Sequence, residues 1–557
     1  MLIAALVVAL TGVPIVVGAQ PEPSLPPTSA PLATPAPLAT PAPLPSPPPP
    51  PGASPEASAS PTPAPTVPPT PPPIVVDPPN AGVNPGATIT LRVQSAFGAI
   101  AATVKDPQIA LILVDQEART VLVTGKTIGV TTVTVSDSRG LTREVGIRVA
   151  DNAGSVGDEA TLRITGQPAT IAFIAEQAVA AAVHQARKKP GAAVIATPED
   201  VTVPHPLNVD DRMDVDVPVI IQGDGFFTVQ GTTHVHVENV AQPRIRPSSL
   251  LVSDFPETLR ENGILFTADL ERDVPSRFLY YHYNPAGQPD RRILLKAENR
   301  SNEPALVQFV SGSGDAEANE MEIGHLSTQR FLVRLAQNEG TVVTIPANAT
   351  MNLVDQLLPA KMTVSNLLQL RELEGAPLHL TLVAQDATAP TDGPVSGALL
   401  VGDVPHARGI YPIPEFFFDP TYEIGGPDLE IPIGQIPLPN LREGEALAGD
   451  YGVLAEITIR IVNNYPRAQH IALYASPRGG RATGTFLIDR VLVQAHALPV
   501  FSHYKLRQYT VPAHGYISTT IVTMPEGGSS YPLKLIVAPD DGSVPPEPPA
   551  RQSTNEP

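Results

Sequence analysis

The chain has 557 residues, 36 Lys and Arg against 55 Asp and Glu, 67 Pro, and neither Cys nor Trp. This length allows three to five domains of roughly 100–200 residues each. The absence of Cys excludes disulfides, Cys-ligated zinc, iron–sulfur clusters and thiol nucleophiles. The excess of acid argues against a general nucleic-acid binder, because such proteins neutralise phosphates with Lys and Arg.

The N-terminus carries the one long apolar run of the sequence. Val17 and Ala19 satisfy the small-residue rule for cleavage before Gln20, so residues 1–19 are expected to be a signal peptide. No Lys or Arg precedes the run, and Pro14 weakens it as a membrane-spanning helix. An uncleaved anchor is the alternative. Both interpretations predict an exported protein that is periplasmic, displayed on the cell surface or secreted.

Residues 20–73 are rich in Pro, Ala, Ser and Thr, and the hexad PLATPA occurs there twice in tandem. Such a segment buries too little apolar surface to offset its ordering entropy. We expect a disordered linker with a polyproline-II bias, acting as a spacer; a tolerated low-complexity insertion is the alternative. Residues 541–557 are expected to form a disordered tail.

Residues 74–150 show a periodicity of two. Short runs rich in Val, Ile and Thr are separated by turn residues: ITLRVQSA, ALILVDQ, TVLVTGKT, VTTVTVSD and REVGIRVA. Between the last two runs, Asp137 to Gly140 form a hairpin turn in which Gly140 is free to take a positive φ. The pattern predicts a small antiparallel β-sandwich.

This segment resembles the N-terminal domain of bacterial pilus-assembly and secretin-type proteins, and almost as closely bacterial Ig-like surface domains. The matching features are Asp106-Pro107, Val121-Leu122-Val123, Gly125-Lys126, Gly129-x-Thr131 and Val133-x-Val135-x-Asp137. The resemblance implies an envelope β-domain without an active site.

Residues 158–245 are predicted to form a small α+β domain. A strand, ATLRIT, precedes a helix from Thr170 to Lys189, which is expected to be the only substantial helix of the chain. Its apolar face is predicted to consist of Ile171, Ile174, Ala175, Ala178, Val179, Ala182, Val183 and Ala186.

His234, His236 and Glu238 share one face of a predicted strand in this domain. His-x-His is a spacing found in metal sites, so a metal-dependent enzyme centred on His234 and His236 is one hypothesis. The alternative, which we favour, is an ordinary strand with Val inside and His and Glu in solvent.

Residues 246–540 are predicted to contain two copies of one β-sandwich-like unit, at 246–388 and 389–540. ILLKAENRSNEPALVQFV parallels ITIRIVNNYPRAQHIALY, and GTVVTIPANAT parallels RQYTVPAHGYI, at a nearly constant offset. In the first copy, Tyr280, Tyr281, His282 and Tyr283 form an aromatic cluster. Exposed Tyr280 and Tyr283 would suit carbohydrate binding, but we favour core packing.

Most of this half is similar to an uncharacterised β-rich region of bacterial secreted proteins. The strings that carry the similarity are LLVSDFPETLRENGILF, RFLYYHYN, GDYGVLAEITIRIVNN, SPRGG and MPEGGSSYPLKLIV. That region sometimes accompanies a domain named after the N-terminal part of copper amine oxidases. The similarity implies export and a β-fold, and no activity.

Together these patterns predict a mainly β protein of Ig-like β-sandwich modules with one small α+β domain. We expect a non-enzymatic envelope or cell-surface protein that presents β-modules for binding or assembly, without catalytic, cofactor-binding or metal-binding residues and without a cofactor. Its expected partners are envelope proteins, including pilus or secretion components, and no nucleic acid; membrane contact is expected only through an uncleaved N-terminus. A carbohydrate-binding or adhesion protein is the alternative, besides the metal-dependent enzyme.

Overall fold

A computed structural model describes residues 72–543. The predicted signal peptide, the predicted linker up to residue 71 and residues 544–557 lie outside the described residues. The fold is mainly β, with several β-sandwich-like sheets and two α-helices in the described range, which confirms the predicted fold class. Neither helix of this range is long and apolar enough to cross a bilayer.

The first folded unit is a β-sandwich of eight strands. They are Val75–Asp77 (β1), Asn80–Val83 (β2), Thr88–Gln94 (β3), Ile100–Val104 (β4), Ala110–Asp115 (β5), Thr120–Gly125 (β6), Gly129–Asp137 (β7) and Thr142–Val149 (β8). One sheet has the order β1-β3-β6-β5 and the other β2-β8-β7-β4. Alternate β-branched residues such as Val133 and Val135 fill the core, and Gly140 takes φ +79° in the predicted hairpin turn.

The second unit places one helix on a sheet. Its elements are Gly154–Ser155 (β9), Glu159–Thr165 (β10), Ile171–Gln185 (α1), Arg187–Lys188 (β11), Ala193–Ile195 (β12), Arg212–Gln222 (β13) and Val229–Asn239 (β14). Thr170 caps α1 by accepting a hydrogen bond from the Phe173 amide. The helix ends before the predicted Lys189, because Arg187 and Lys188 pair with β9 as a short strand.

The predicted apolar face of α1 is only partly correct. Ile174, Ala175, Ala178 and Ala182 are buried, as expected, together with Phe173. Ile171 and Val183, by contrast, are 44% and 38% exposed. The contact with the sheet is therefore a narrow stripe of mostly small residues.

Two further sandwiches follow. The first contains Ser249–Ser253 (β15), Gly263–Asp269 (β16), Ser276–Asn284 (β17), Arg291–Asn299 (β18), Ala305–Ser311 (β19), Glu320–Gln337 (α2), Gly340–Ile345 (β20), Ala349–Leu358 (β21), Met362–Glu374 (β22) and His379–Asp386 (β23). Arg408–Tyr411 (β24) follows and pairs with β15 of the first sandwich. The second sandwich contains Glu415–Phe418 (β25), Thr421–Glu423 (β26), Leu429–Ile433 (β27), Leu454–Val462 (β28), Gln469–Pro477 (β29), Ala482–Ile488 (β30), Val491–Leu498 (β31), Tyr504–Val511 (β32), Tyr516–Thr523 (β33) and Leu533–Pro539 (β34).

A ten-stranded sheet joins the α+β unit to the first sandwich, in the order β12-β13-β14-β10-β20-β19-β22-β17-β15-β24. It crosses the predicted domain boundary at residue 245, and β24 extends it from beyond the boundary at residue 388. The first sandwich is completed by the sheet β16-β23-β18-β21. In the second sandwich, β25-β28-β33-β30-β31 faces β27-β34-β29-β32.

The predicted repeat is visible in the hydrogen bonds of two asparagines. The Asn299 side-chain amide donates to the carbonyls of Glu303, Ile345 and Pro346. At the corresponding place, the Asn463 amide donates to the carbonyls of Arg467, Val511 and Pro512. Each asparagine thus ties a turn between two strands to the end of a third strand.

We expect Asn299→Ala and Asn463→Ala each to lower the free energy of unfolding by about 1–3 kcal/mol, because each change leaves buried carbonyls without a donor. Urea-induced unfolding measures this loss. Asn302→Ala, at an exposed position of the same turn as Asn299, is the control and should change stability little. Equal stability of the Asn299 and Asn302 variants would contradict the assigned role.

The helix α2 is the main element that sequence analysis missed; the expectation of a single substantial helix was wrong. Asn319 caps it by accepting from the Met321 and Glu322 amides, and it packs between the two sandwiches. Gly324 makes the approach possible, since a Cβ there would lie 1.8 Å from the Gly527 carbonyl oxygen. A shared apolar cluster that includes Leu279, Phe331 and Met524 joins the sandwiches around this helix.

Candidate functional site

Two neighbouring cavities open where loops of the two sandwiches meet. Their volumes are about 360 and 380 Å³, and both are lined by Glu257 and His406. The first also contains Arg260, Glu261 and Asp403, and the second also contains Asp254, Tyr281, Glu445 and Tyr451. We call the two cavities together the acidic groove, because five carboxylates face one arginine and one histidine.

A histidine held between two carboxylates lies at the centre of the acidic groove. His406 Nδ1 is 3.5 Å from Asp254 Oδ2, and His406 Nε2 is 3.2 Å from Glu257 Oε2. The three side chains are 27–33% exposed, so they remain accessible. Asp254 Oδ1 is buried and has no hydrogen-bond partner in the described part of the chain. The site therefore keeps one acceptor unused.

The pKa values of Asp254 and His406 are both raised in the groove. Burial raises the pKa of Asp254 to about 6, with Glu257 adding to the rise and His406 opposing it. The contact with Asp254 raises the pKa of His406, and the charge of Glu257 contributes further. Lowering the pH therefore neutralises a carboxylate and adds positive charge on the imidazole, making the groove less acidic.

Tyr451 and Tyr281 line the groove, and hydrogen bonds to the backbone hold both side chains in place. The Tyr451 hydroxyl donates to the Ser529 carbonyl at 2.7 Å, and the Tyr281 hydroxyl donates to the Glu320 carbonyl at 3.2 Å. Both phenols are thus held in place, and their hydroxyls are committed to backbone partners. The carboxylates, Arg260 and His406 are left as the groups available to a ligand.

His234 and His236, the candidate metal ligands, lie on an exposed sheet face. Each pairs with its own cross-strand aspartate: His234 Nδ1 is 2.6 Å from Asp216, and His236 Nδ1 is 2.7 Å from Asp214. Glu238 pairs with arginines instead. Within residues 72–543, no group of three or more His, Asp or Glu side chains is placed to hold one metal ion. The structure thus does not bring these residues together as a metal centre.

The aromatic cluster belongs to the core. Tyr280 is fully buried, and its hydroxyl donates to Gln356 at 2.7 Å. His282 is also fully buried between Ser253 and the Pro256 carbonyl. Only Tyr283 is half-buried. The favoured interpretation of core packing is confirmed for Tyr280, which cannot stack on a sugar.

Comparisons with known proteins give weak similarities. No protein-family model matches the chain, and no curated protein sequence matches it. The human Desmocollin-1 ectodomain matches at 10% identity and a TM-score of 0.13, covering 32% of this chain and 43% of that one. Drosophila N-cadherin EC1-4 matches at 13% identity and a TM-score of 0.13, covering 30% of this chain and 50% of that one.

A third similar structure is the Bacteroides ovatus mixed-linkage glucan utilization locus protein SGBP-B in complex with mixed-linkage heptasaccharide. The identity is 10% and the TM-score 0.13, and the match covers 52% of this chain and 71% of that one. Scores this low carry no argument about function. The resemblance of residues 74–150 to pilus-assembly domains stays a prediction.

The acidic groove was not predicted from the sequence. Asp254 and Glu257 stand in the quoted string LLVSDFPETLRENGILF, but His406 lies in a distant loop before β24. No spacing within the sequence connects these residues, because their proximity depends on β24 pairing with β15. The one local signal was the density of acidic residues around Asp254.

Proposed function

We propose that the protein is a non-enzymatic, exported envelope or cell-surface protein that binds a partner protein through the acidic groove. The expected ligand is a basic segment of that partner. The observation that supports this most strongly is the charge of the groove: five carboxylates against Arg260 and His406, around an unused acceptor on Asp254. Lysine and arginine side chains are the donors that complement such a surface.

The scaffold suits a binding role. The sandwiches share an apolar cluster around α2, so the loops that line the groove rest on packed strands. A preorganised site loses less conformational entropy on binding than a mobile one. Among envelope partners, pilus or secretion components are the class that we propose, on the resemblance of residues 74–150.

A carbohydrate ligand is the second candidate function, and its support is weaker. Burial of Tyr280 removes one of the two tyrosines on which that hypothesis rested, and Tyr283 is half-buried. The acidic groove could still accept hydroxyl groups at its carboxylates, so oligosaccharides belong in the test as a competing ligand class.

The test uses the full chain, a fluorescein-labelled oligolysine peptide and a matched pair of double variants. Asp254→Asn with Glu257→Gln removes two charges from the groove and should weaken peptide binding at least about tenfold. Asp214→Asn with Asp216→Asn removes two charges from the exposed sheet face and should have a much smaller effect. Fluorescence anisotropy measures both.

Peptide affinity should also fall about tenfold between about pH 8 and about pH 5, because Asp254, with a pKa of about 6, becomes neutral while His406 gains charge. Equal losses in both double variants would contradict a specific groove. Binding of oligosaccharides but not of peptides would favour the second candidate. Capture of envelope proteins by the full chain, lost in the groove variant, would extend the result to natural partners.

A further inference from the structure

A buried carboxylate outside the acidic groove lines a separate apolar pocket. Asp450 is 4% exposed, and its Oδ1 has no hydrogen-bond partner among the described residues. The pocket has a volume of about 190 Å³ and shares no lining residue with the groove. The rest of its lining is mostly apolar and includes Phe416, Phe418, Val453 and Ala455.

The ionised form of Asp450 is energetically unfavourable at this buried position. An ionised group in apolar surroundings without a partner is strongly destabilised, and burial raises the pKa of Asp450 to about 7. Nothing in the surrounding packing compensates for it: the neighbouring Val453 and Ala455 are buried apolar residues. A buried, unpartnered carboxylate that lines an open pocket is the kind of group that is found at functional sites.

The other residues that line the pocket favour an organic cation over a metal ion. A metal ion such as Ca²⁺ needs six to eight oxygen ligands, and the described residues provide no cluster of three acidic or His ligands. The rings of Phe416 and Phe418, with centroids 6.2 Å apart, instead provide aromatic faces and edges. Aromatic rings beside a carboxylate are the surroundings that organic ammonium groups prefer.

We propose that this pocket binds a small organic monocation, an alkyl- or aralkylammonium group that pairs with Asp450 and lies against Phe416 and Phe418. The volume, below that of typical drug-sized sites, limits the guest to a short chain or a single ring. The group can belong to a free amine or to a lysine side chain. This site goes beyond the proposed function and does not depend on it.

The probes are butylammonium chloride, its neutral counterpart butanol, and Nα-acetyl-lysine methylamide as a model of a lysine side chain. Saturation-transfer NMR titrations on the full chain at about pH 8 should show butylammonium binding at least about tenfold more tightly than butanol. Binding of butylammonium supports the proposal and shows that the pocket accepts a free amine. Binding of the lysine derivative alone supports the site and assigns its source to a peptide.

The decisive variant is Asp450→Asn, which keeps the size of the side chain and suits the φ of +52° at this position. It should reduce butylammonium affinity at least about tenfold, whereas Asp419→Asn, an exposed aspartate beside Phe418, should leave it unchanged. Affinity in the unmodified protein should fall about tenfold from about pH 8 to about pH 6, as Asp450 becomes protonated.

Several results would overturn the proposal. They are absence of binding by both ammonium probes, equal binding of butanol, or an Asp450→Asn variant with unchanged affinity. Because the Asp450 pocket and the acidic groove share no residues, these outcomes leave the test of the groove variants unaffected. Thermal unfolding of Asp450→Asn confirms that the variant is folded, and removal of a buried charge should not lower its stability.

Discussion

Replacing Arg277 with methionine will lower the free energy of unfolding by about 3–5 kcal/mol, the usual cost of removing one member of a buried ion pair. Arg277 lies in β17 and is fully buried. Its guanidinium donates to the Pro414 carbonyl at 2.7 Å and to Glu415 at 2.7 Å, both in the second sandwich. It also donates to the Gly452 carbonyl at 3.3 Å.

The loss is large because each partner of Arg277 would stay buried. The Glu415 side chain is only 7% exposed, and its other nearby cation, Arg246, is 3.7 Å away and mostly in solvent. Burial lowers the pKa of Arg277 to about 10, so the guanidinium still carries its charge at neutral pH. The charged guanidinium therefore joins the two sandwiches through Glu415 and the carbonyls of Pro414 and Gly452.

A thermodynamic cycle separates the ion pair from the packing of the side chain. Combining Arg277→Met with Glu415→Gln should recover part of the stability, because the unpaired carboxylate is then removed. Arg300→Met, which breaks an exposed pair with Glu298, is the control and should change little. If the Arg277 and Arg300 variants unfold at the same urea concentration, the proposed role of Arg277 is wrong.

Replacing His325 with leucine is the second change with a large expected effect, again about 3–5 kcal/mol, because it leaves Glu526 buried without a partner. His325 Nδ1 lies 2.8 Å from Glu526 Oε2, and the two side chains are 2% and 0% exposed. The pair connects α2 of the first sandwich to the loop after β33 of the second. Urea-induced unfolding measures the loss, and His236→Leu, at an exposed pair, is the control.

The same pair predicts a pH dependence of stability. Burial opposes ionisation of His325, but the charge and hydrogen bond of Glu526 outweigh it and raise the histidine pKa above its usual value. Glu322 adds to the rise, and the His496 ring lies 4.4 Å away with its own pKa lowered by burial and by His325. The protonated histidine thus stabilises the folded state below its unfolded pKa of about 6.5.

This contribution should disappear as the pH rises through the raised pKa of His325 in the folded protein. In Glu526→Gln, burial dominates and favours the neutral imidazole. The contribution of His325 to stability should then increase as the pH rises, the reverse of its behaviour in the unmodified protein. Unfolding measured at about pH 6 and about pH 8 compares the two proteins. Identical pH profiles would show that Glu526 does not govern His325.

The residues of α2 do not show the regular apolar spacing by which a helix is predicted from sequence, and the reason is physical. The Asn319 cap, the acidic first turn and the apolar Ile323, Phe331 and Leu335 are ordinary helix signals. The buried face also includes Gly324, His325, Ser327 and Thr328, which interrupt the apolar pattern. A helix that packs between two sandwiches and carries an ion pair does not have the uniform apolar stripe of a surface helix.

Local sequence patterns are enough to predict the strands and turns of the β-modules. Alternating β-branched residues such as Val133 and Val135 specify strands, Gly140 specifies a hairpin turn, and Asn299 and Asn463 mark equivalent turns of the two sandwiches. Each of these signals acts over a few residues, through side-chain alternation, positive φ or hydrogen bonds at a turn. They suffice for the fold class.

The contacts between distant segments, by contrast, depend on how the whole chain packs. The pairing of β10 with β20 merges two predicted domains into one sheet, and the pairing of β15 with β24 brings His406 to Asp254. The burial of Asp450 likewise depends on strands contributed from several parts of the second sandwich. Such contacts are selected by the packing free energy of the whole chain, which no local periodicity encodes.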